Sequence, residues 1–301
     1  MSTATVTQKC NGHSMVGVLR RVLVSSPETA GWNSPERLAE SAALGFPRPP
    51  EFSLAQKQHQ ALCRLLEESG TELLSLPTSP DLTLDAVYAH DASLATDFGV
   101  ILMYPGKPNR VPEAKRQGEY FHSLGIPVLG AVTPPGKTEA GDILWLDEKT
   151  LLIGNGYRTN ADGIAQIRRL LAPHGVQVLS APLPYGPGPS ACLHLMSLIS
   201  LLDETTALVD LAWLAVETVE LLRSRGYGFI EIDPAERDTL ACNVLSLGKK
   251  RLIAIEENVR TNQRLHRVGF DVRTFPGSEI CINGAGGPTC LTRPLLRDSS
   301  T

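Results

Sequence analysis

The distribution of apolar and polar positions repeats along the chain. Five times an amphipathic stretch ends at a glycine and runs directly into a short apolar segment, at intervals of 55, 50, 51 and 43 residues. The five glycines are Gly70, Gly125, Gly175, Gly226 and Gly269. A glycine just past a helix is the usual left-handed C-terminal cap, so each junction predicts the end of a helix followed by a strand.

The helical stretches also carry start signals. Ser53, Asn160 and Asn258 precede three of them, and these side chains accept an otherwise unpaired N–H of the first turn. Pro112 stands where a first helical turn tolerates proline. The helix within AWLAVETVELLRS has no clear capping residue. We therefore predict one helix in each repeat.

Ahead of four of the helices lie two β-like runs separated by a polar turn. They are DASLATDFGVILMYP, DILWLDEKTLLIGNG, LHLMSLISLLDETTALVD and NVLSLGKKRLIAIEE. A first copy begins with VLRRVLVSSP, and the C-terminal CLTRPL can supply its missing strand. This arrangement closes a ring of five units. The pattern predicts an α/β fold, a five-bladed pseudosymmetric propeller of ββαβ repeats.

Composition and charge narrow the class of protein. The 301 residues are 42% hydrophobic and 20% charged, which is typical of a globular chain. We expect residues 15–301 to form a single five-bladed catalytic domain and residues 1–14 to form a flexible N-terminal tail. A net charge of −4 argues against a nucleic-acid partner, and no apolar run reaches the roughly 18 residues that span a membrane. Six scattered cysteines without zinc-site spacing favour reduced thiols in a cytoplasmic protein.

The repeat also predicts where chemistry is located. At the start of the first hairpin strand, successive units place Asp91, Asp142, His194, Asn243 and Cys290, at spacings of 51, 52, 49 and 47 residues. Equivalent positions of a ring face one axial cavity, so these polar side chains are expected to converge. Carboxylates, an imidazole and a thiol in one cavity are the components of covalent catalysis.

The residues around these positions resemble the guanidino-modifying pentein superfamily, which comprises dimethylargininases, arginine deiminases, arginine dihydrolases and amidinotransferases. The matching segments are GAGGPTCLTRPL around Cys290, LHLMS around His194, TEAGDIL around Glu139 and Asp142, and YAHD at Asp91. PGKPNRVPE at Arg110 and IGNGYRTN at Arg158 resemble segments that contact the substrate in these enzymes. The resemblance covers about residues 15 to 296.

The resemblance implies a hydrolase that acts on a small guanidino compound and needs no metal or organic cofactor. Cys290 would be the nucleophile, His194 the proton donor and acceptor, and Glu139 the carboxylate that orients His194. Asp91 and Asp142 would bind opposite edges of the guanidinium group. Arg110 and Arg158 would bind the carboxylate end of an amino-acid substrate, because their planar guanidinium groups match a carboxylate with two hydrogen bonds.

Three positions depart from the deiminase pattern: Met196 replaces an aspartate, His90 an arginine and Ala140 a glycine. Met196, expected on the same strand face as His194, offers apolar contact to an N-methyl group. We therefore favour N-methylated arginine, cleaved to citrulline and an alkylamine through a thiouronium intermediate. Arginine deiminase or dihydrolase activity and amidino transfer stay open, a non-catalytic binding module ranks last, and homo-oligomer formation is left open.

We expect structural roles, and no catalytic role, for most of the other cysteines and histidines. Cys63, Cys192 and Cys242 are expected to be small buried hydrophobes, and Asn243 to hold the hairpin backbone. The remaining histidines are expected to be solvated; they are His13, His59, His122, His174 and His266. The segment 27–50 exceeds the usual loop length, so it is either a lid or an ordered surface excursion.

Overall fold

Five sheets of three strands each form the framework of the protein. The computed structural model describes residues 9–189, 191 and 193–298. The strands are β1 Leu19–Val24, β2 Glu72–Ser75, β3 Ser93–Thr96, β4 Gly99–Leu102, β5 Val128–Ala131, β6 Ile143–Asp147, β7 Thr150–Asn155, β8 Gln177–Pro182, β9 Ile199–Leu201, β10 Thr206–Val209, β11 Gly228–Glu231, β12 Leu245–Gly248, β13 Arg251–Ile255, β14 Asp271–Phe275 and β15 Thr292–Arg297. The helices are α1 Pro35–Leu38, α2 Phe52–Glu68, α3 Val111–Ser123, α4 Ala161–Leu171, α5 Val216–Ser224 and α6 Val259–Arg267.

All five sheets share one strand pattern. In the sheet β3-β4-β5, β4 is antiparallel to β3 and parallel to β5, and α3 connects the parallel pair. The sheet β15-β1-β2 has the same pattern with its antiparallel strand taken from the end of the chain. The predicted ββαβ order and the C-terminal completion of the first unit are therefore confirmed.

The five predicted glycine caps adopt the left-handed conformation. Their φ angles are +85°, +70°, +72°, +86° and +93° in chain order. A side chain at such φ values is strained, which explains why glycine ends each of these helices.

The start signals agree only in part. The Asn160 side chain accepts the Gly163 N–H and caps α4 as predicted. Helix α2 instead begins one residue before Ser53, because the Glu51 carboxylate accepts the first-turn N–H groups. Asn258 precedes α6, but its amide donates to the Thr239 carbonyl oxygen instead of capping the helix.

Helix α2 shows how a helix covers its sheet with an apolar face. Helix α2 buries Ala55, Leu62 and Leu66, and a fully buried leucine contributes about 1.5–3 kcal/mol. The buried position of His59 on this face differs from the solvated histidine expected there. Burial lowers the pKa of His59 to about 4, so it packs as a neutral side chain. Among the residues that the structure describes, no helix is long and apolar enough to cross a bilayer.

The segment before β1 is attached to the fold from residue 11 onward. Asn11 exchanges hydrogen bonds with the Arg297 backbone in β15. The His13 ring is buried and stacks on Trp145, with ring centroids 3.8 Å apart. The structure therefore differs from the expected tail at these residues, because they cover apolar surface; residues 1–8 lie outside the described residues. The division into a tail and one domain stays a prediction.

Candidate active site

Each residue of the predicted ring position lies in the loop that leads into the first strand of its unit. Asp91 precedes β3, Asp142 precedes β6, His194 precedes β9, Asn243 precedes β12 and Cys290 precedes β15. Two of these loops are closed by single turns of 3-10 helix, Ala140–Asp142 and Leu195–Ser197. The loops carry the functional groups, and the sheets behind them fix their positions.

Three of these side chains hold the loop of the next unit. Asp91 Oδ1 accepts the Gly141 N–H at 2.9 Å, and Asp142 Oδ1 accepts the Leu195 N–H at 3.0 Å. Asn243 Oδ1 accepts the Thr289 N–H at 3.0 Å. Each accepted N–H belongs to a residue next to the following ring residue. These three side chains therefore help to fix the position of the next functional side chain.

A cavity of about 770 Å³ brings most of the predicted residues together. Its lining includes Asp91, Arg110, Arg158, His194 and Cys290. Glu139 lies directly behind His194 and is fully buried. Asp142 is absent from the described residues that line this cavity, so the structure does not bring it to the surface where a substrate would bind. Leu44 and Phe46 of the long segment 27–50 form part of the wall, which leaves the lid function a prediction.

His194 and Glu139 form a buried pair. His194 Nε2 lies 2.9 Å from Glu139 Oε2, and Arg158 Nη1 donates to both carboxylate oxygens at 2.9 and 2.8 Å. Burial alone would raise the pKa of Glu139, but the hydrogen bond from His194 and the His194 and Arg158 charges lower it to about 2. The carboxylate is therefore ionised and accepts a proton-bearing Nε2. This arrangement stabilises a protonated His194.

Gly141 allows the other side of the imidazole to approach Asp91. A Cβ at Gly141 would lie 2.6 Å from His194 Nδ1 and 2.8 Å from Asp91 Oδ1, closer than real carbon atoms come. The neighbouring Ala140 is buried without such a collision, so the departure from glycine at that position leaves the site intact.

The guanidinium group of Arg110 is hydrogen-bonded to other residues of the protein and does not present a free pair of N–H groups to the cavity. Its guanidinium donates to both oxygens of Glu113, to Asp91 Oδ2 at 2.5 Å and to the Tyr88 carbonyl oxygen. The structure therefore differs from the expected contact with a substrate carboxylate, because the guanidinium is already occupied by Glu113. Burial would raise the pKa of Asp91, but the Arg110 charge holds it well below its usual range.

Cys290 receives a hydrogen bond from a fixed amide. Asn243 Oδ1 accepts from a backbone N–H, so its Nδ2 faces the sulfur, which it contacts at 3.0 Å. Asn243 therefore contacts the sulfur as well as holding the backbone. The two glycines before Cys290 make this approach possible. A Cβ at Gly287 would lie 2.6 Å from Asn243 Cγ, and one at Gly286 would lie 2.5 Å from the Tyr88 ring.

Two sequence expectations are corrected by local geometry. Met196 lies in the 3-10 turn after His194, not on a strand, and packs in an apolar cluster with Leu144 and Leu198. It therefore gives no apolar contact to a substrate. Asp142 is fully buried, and burial raises its pKa to about 6. Its position suits it to hold the His194 loop through Leu195.

Sequence reasoning missed one carboxylate of the cavity. Asp85 lies six residues before Asp91 and lines the same cavity. It accepts a hydrogen bond from Asn109 Nδ2 at 2.7 Å and an ion pair from Lys107 Nζ at 2.6 Å. The sequence signal that could have identified Asp85 is an acidic residue one short turn before the YAHD segment.

Asp91, Glu139 and His194 each offer one ligand atom within 4.8 Å of the others. The same carboxylate oxygens already accept from Arg110, Arg158 and His194. The positive charge that would balance these carboxylates is thus supplied by guanidinium groups. The cluster is explained as a hydrogen-bonded network better than as a metal centre.

Comparison with known proteins agrees with this geometry. Residues 212–297 match the arginine deiminase family model. N(G),N(G)-dimethylarginine dimethylaminohydrolase from Pseudomonas aeruginosa is 28% identical over 244 residues, covering 81% of this chain and 89% of the relative. The enzyme of the same name from Streptomyces coelicolor is 28% identical over 262 residues, covering 85% of this chain and 92% of the relative.

A solved structure extends the likeness to three dimensions. The Pseudomonas aeruginosa dimethylarginine dimethylaminohydrolase in complex with citrulline superposes with a TM-score of 0.74 at 25% identity, covering 93% of this chain and 100% of that one. The sheet pattern, the matched C-terminal segment and these relatives agree with the resemblance carried by the ring residues. In sequence and in fold, the chain is similar to enzymes of the guanidino-modifying pentein superfamily.

Proposed function

We propose that the protein is a cysteine-dependent hydrolase that acts on the guanidinium carbon of an N-alkylated arginine, with N-methylarginine as the reference substrate. The observation that carries this proposal is the convergence of Cys290, the buried His194–Glu139 pair and Asp91 on one cavity. Its products would be citrulline and an alkylamine.

The carboxylates of the cavity suit a planar cation. Asp91 remains ionised beside Arg110, and Asp85 lies on the same wall. Charge-assisted hydrogen bonds from a guanidinium to these carboxylates would hold its carbon near Cys290. We therefore assign substrate binding to Asp91 and Asp85, and assign Asp142 and Arg110 to holding His194 and Asp91 in position. Arg158 keeps the proposed contact with the substrate's carboxylate end.

The first half of the reaction forms a covalent intermediate. The Cys290 sulfur attacks the guanidinium carbon and forms a C–S bond. Protonated His194, held by Glu139, gives its proton to the departing nitrogen as the C–N bond breaks. An amine leaves, and an amidino group stays on Cys290 as a thiouronium. The Asn243 N–H stabilises the sulfur while it carries negative charge.

The second half restores the enzyme. Neutral His194 accepts a proton from water as the water oxygen attacks the thiouronium carbon. The C–S bond then breaks, which releases the ureido product and returns the thiolate. No metal or organic cofactor takes part in these steps.

Support for an N-alkylated substrate comes from the two dimethylarginine dimethylaminohydrolases, each similar over more than four fifths of this chain. Alternative reactions are loss of ammonia from arginine, once or twice, and transfer of the amidino group to an amine. These reactions use the same covalent intermediate and differ in the leaving group or in the acceptor.

Hydrogen bonds between neighbouring units support the further proposal that residues 15–301 form a five-bladed propeller. Hydrogen bonds join the loop of Asp91 to that of Gly141, Asp142 to Leu195, and Asn243 to Thr289. The Ser200 hydroxyl donates to the Cys242 carbonyl oxygen, and the His90 N–H donates to the Cys290 carbonyl oxygen. These contacts link the five units in chain order and back to the first.

The cysteines among the described residues carry no disulfide, in keeping with the proposed cytoplasmic location.

A panel of guanidines tests the proposal. Purified protein is incubated with arginine, Nω-methylarginine, asymmetric dimethylarginine and methylguanidine, and products are identified by mass spectrometry. We expect citrulline and the matching alkylamine from the methylated arginines. Ornithine with ammonia would indicate a dihydrolase, and no product from any guanidine would contradict the proposal.

A further inference from the structure

A second cavity shares the reactive pair with the charged one. It has a volume of about 200 Å³, and its lining includes both Cys290 and His194. Carbon surfaces make up most of the remaining described wall, from Pro187, Leu193, Leu198, Trp213 and Leu240. The sulfur and the imidazole thus border a charged cavity and a largely apolar one.

The charged residues of the second cavity do not make its interior polar. Arg237 donates two hydrogen bonds to Asp210, which is buried, and its guanidinium carbon lies 5.4 Å from the centroid of the Trp213 ring. Its charge is therefore paired, and its planar group supports the indole. Asp238 is exposed at the edge.

The wall around Trp213 is closely packed. A Cβ at Gly186 would lie 2.9 Å from Trp213 Cζ3 and 3.0 Å from Leu193 Cδ2. The backbone of the loop therefore rests directly on the indole and on Leu193. This cavity is formed before any ligand binds.

We propose that this apolar cavity receives the substituent on the departing nitrogen, and that the substrates are arginines whose Nω carries an alkyl or aryl group larger than methyl. The inference rests on the proposed function. His194 must lie next to the nitrogen that it protonates. With the rest of the guanidinium held by Asp85 and Asp91 in the charged cavity, the substituent on that nitrogen points into the space that His194 and Cys290 share with Trp213.

The size of the cavity sets the size of the substituent. An engineered protein cavity of about 150 Å³ binds benzene, so about 200 Å³ accommodates a butyl or phenyl group. A methyl group or ammonia would fill only a small part of it. The overall reaction is hydrolysis of R–NH–C(=NH₂⁺)–NH–R′ to the ureide R–NH–CO–NH₂ and the ammonium ion R′–NH₃⁺, with one water consumed.

A homologous substrate series tests the proposal on the wild-type protein. We would measure kcat/KM for arginine and its Nω-methyl, propyl, butyl, benzyl and 2-hydroxyethyl derivatives, from the released amine. Each methylene is expected to raise kcat/KM about four-fold up to butyl, and propyl should exceed 2-hydroxyethyl by about ten-fold. A kcat/KM that stays constant or falls as the substituent grows beyond methyl overturns the inference.

Two matched variants locate the effect. Trp213→Ala removes the largest apolar side chain from the wall of the second cavity. In this variant kcat/KM should no longer rise with the length of the substituent. Tyr157→Ala removes an aromatic side chain that lines the charged cavity but not the apolar one. In this variant kcat/KM should still rise with the length of the substituent. If Trp213→Ala fails to fold, the wild-type series and Leu193→Ala decide the question. A rise that survives both Trp213→Ala and Leu193→Ala contradicts the assignment.

The outcomes separate this inference from the proposed function. Turnover of methylarginine without a rise along the series leaves the hydrolase and refutes the apolar subsite. No turnover of any member, together with no binding to Cys290→Ser by calorimetry, refutes both. A final incubation contains arginine and hexylamine. Ornithine with hexylguanidine would assign the cavity to an acceptor amine and overturn its role as the leaving-group site.

Discussion

Replacing Asp142 by asparagine separates two roles of this side chain, substrate binding and positioning of His194. Asp142 is fully buried, and its Oδ1 accepts the Leu195 N–H at 3.0 Å. Asparagine keeps that acceptor and removes the charge. If Asp142 acts through Leu195, Asp142→Asn should leave KM for a guanidino substrate within about three-fold of the wild-type value.

The effect on stability follows from ionisation inside the protein. Burial raises the pKa of Asp142 from its ordinary 3.8 to about 6, so between these values the folded protein holds a proton that the unfolded chain releases. Stability is therefore lost as pH rises through this window, by about 3 kcal/mol in total. Roughly half of this loss falls between pH 5 and pH 8. Asp142→Asn does not ionise, so its stability relative to wild type should be higher at pH 8 than at pH 5 by that amount.

Thermal unfolding at the two pH values measures this difference. For a chain of this length, a difference of about 1–2 kcal/mol corresponds to a Tm difference of about 2 °C. Asp271→Asn, at an exposed strand position, serves as the control and should show no such pH dependence. Equal Tm shifts at pH 5 and pH 8 would refute the buried ionisation. A hundred-fold rise in KM would return Asp142 to the substrate site.

Three further substitutions test the pair of functional groups and the backbone around them. Glu139→Gln should lower kcat by about 10²–10⁴ with little change in KM, because protonated His194 loses its ionised partner; a steady-state assay that finds kcat within ten-fold of wild type contradicts this role. Asn243→Ala should slow alkylation of Cys290 by iodoacetamide at pH 7 at least about ten-fold, since a hydrogen bond to a charged sulfur is lost; peptide mass spectrometry measures the rate, and an unchanged rate rejects the contact. Gly141→Ala should abolish turnover while circular dichroism stays native, because its Cβ would displace the His194 ring; full activity in this variant would show that the ring tolerates the shift.

The repeat was accessible from sequence because its signals are local. A glycine that must adopt positive φ, a polar turn and a run of β-branched residues each act within a few positions, and together they gave the ββαβ order. The convergence of Cys290, His194 and Asp91 followed from equivalence within the repeat. The family resemblance supplied Glu139.

What the sequence missed depends on contacts between distant segments. Met196 turned into the core because a 3-10 turn replaces the strand expected after His194, and this turn is held by Asp142 from the preceding unit. The Arg110 guanidinium donates to Asp91, 19 residues earlier in the chain, as well as to Glu113 in the first turn of α3. The apolar cavity is built from loops of three units, those that precede β9, β12 and β15. Apart from the i,i+3 pair of Arg110 and Glu113, none of these contacts is visible in a local sequence pattern.

The central claim is that Cys290 carries the amidino group of the substrate. The most direct measurement is intact-protein and peptide mass spectrometry after acid quench of a reaction with Nω-methylarginine, with citrulline measured in the same sample. The account predicts an adduct on the peptide that contains Cys290, and neither adduct nor citrulline with Cys290→Ala. Citrulline formation by Cys290→Ala, or an adduct on a different residue, would contradict it.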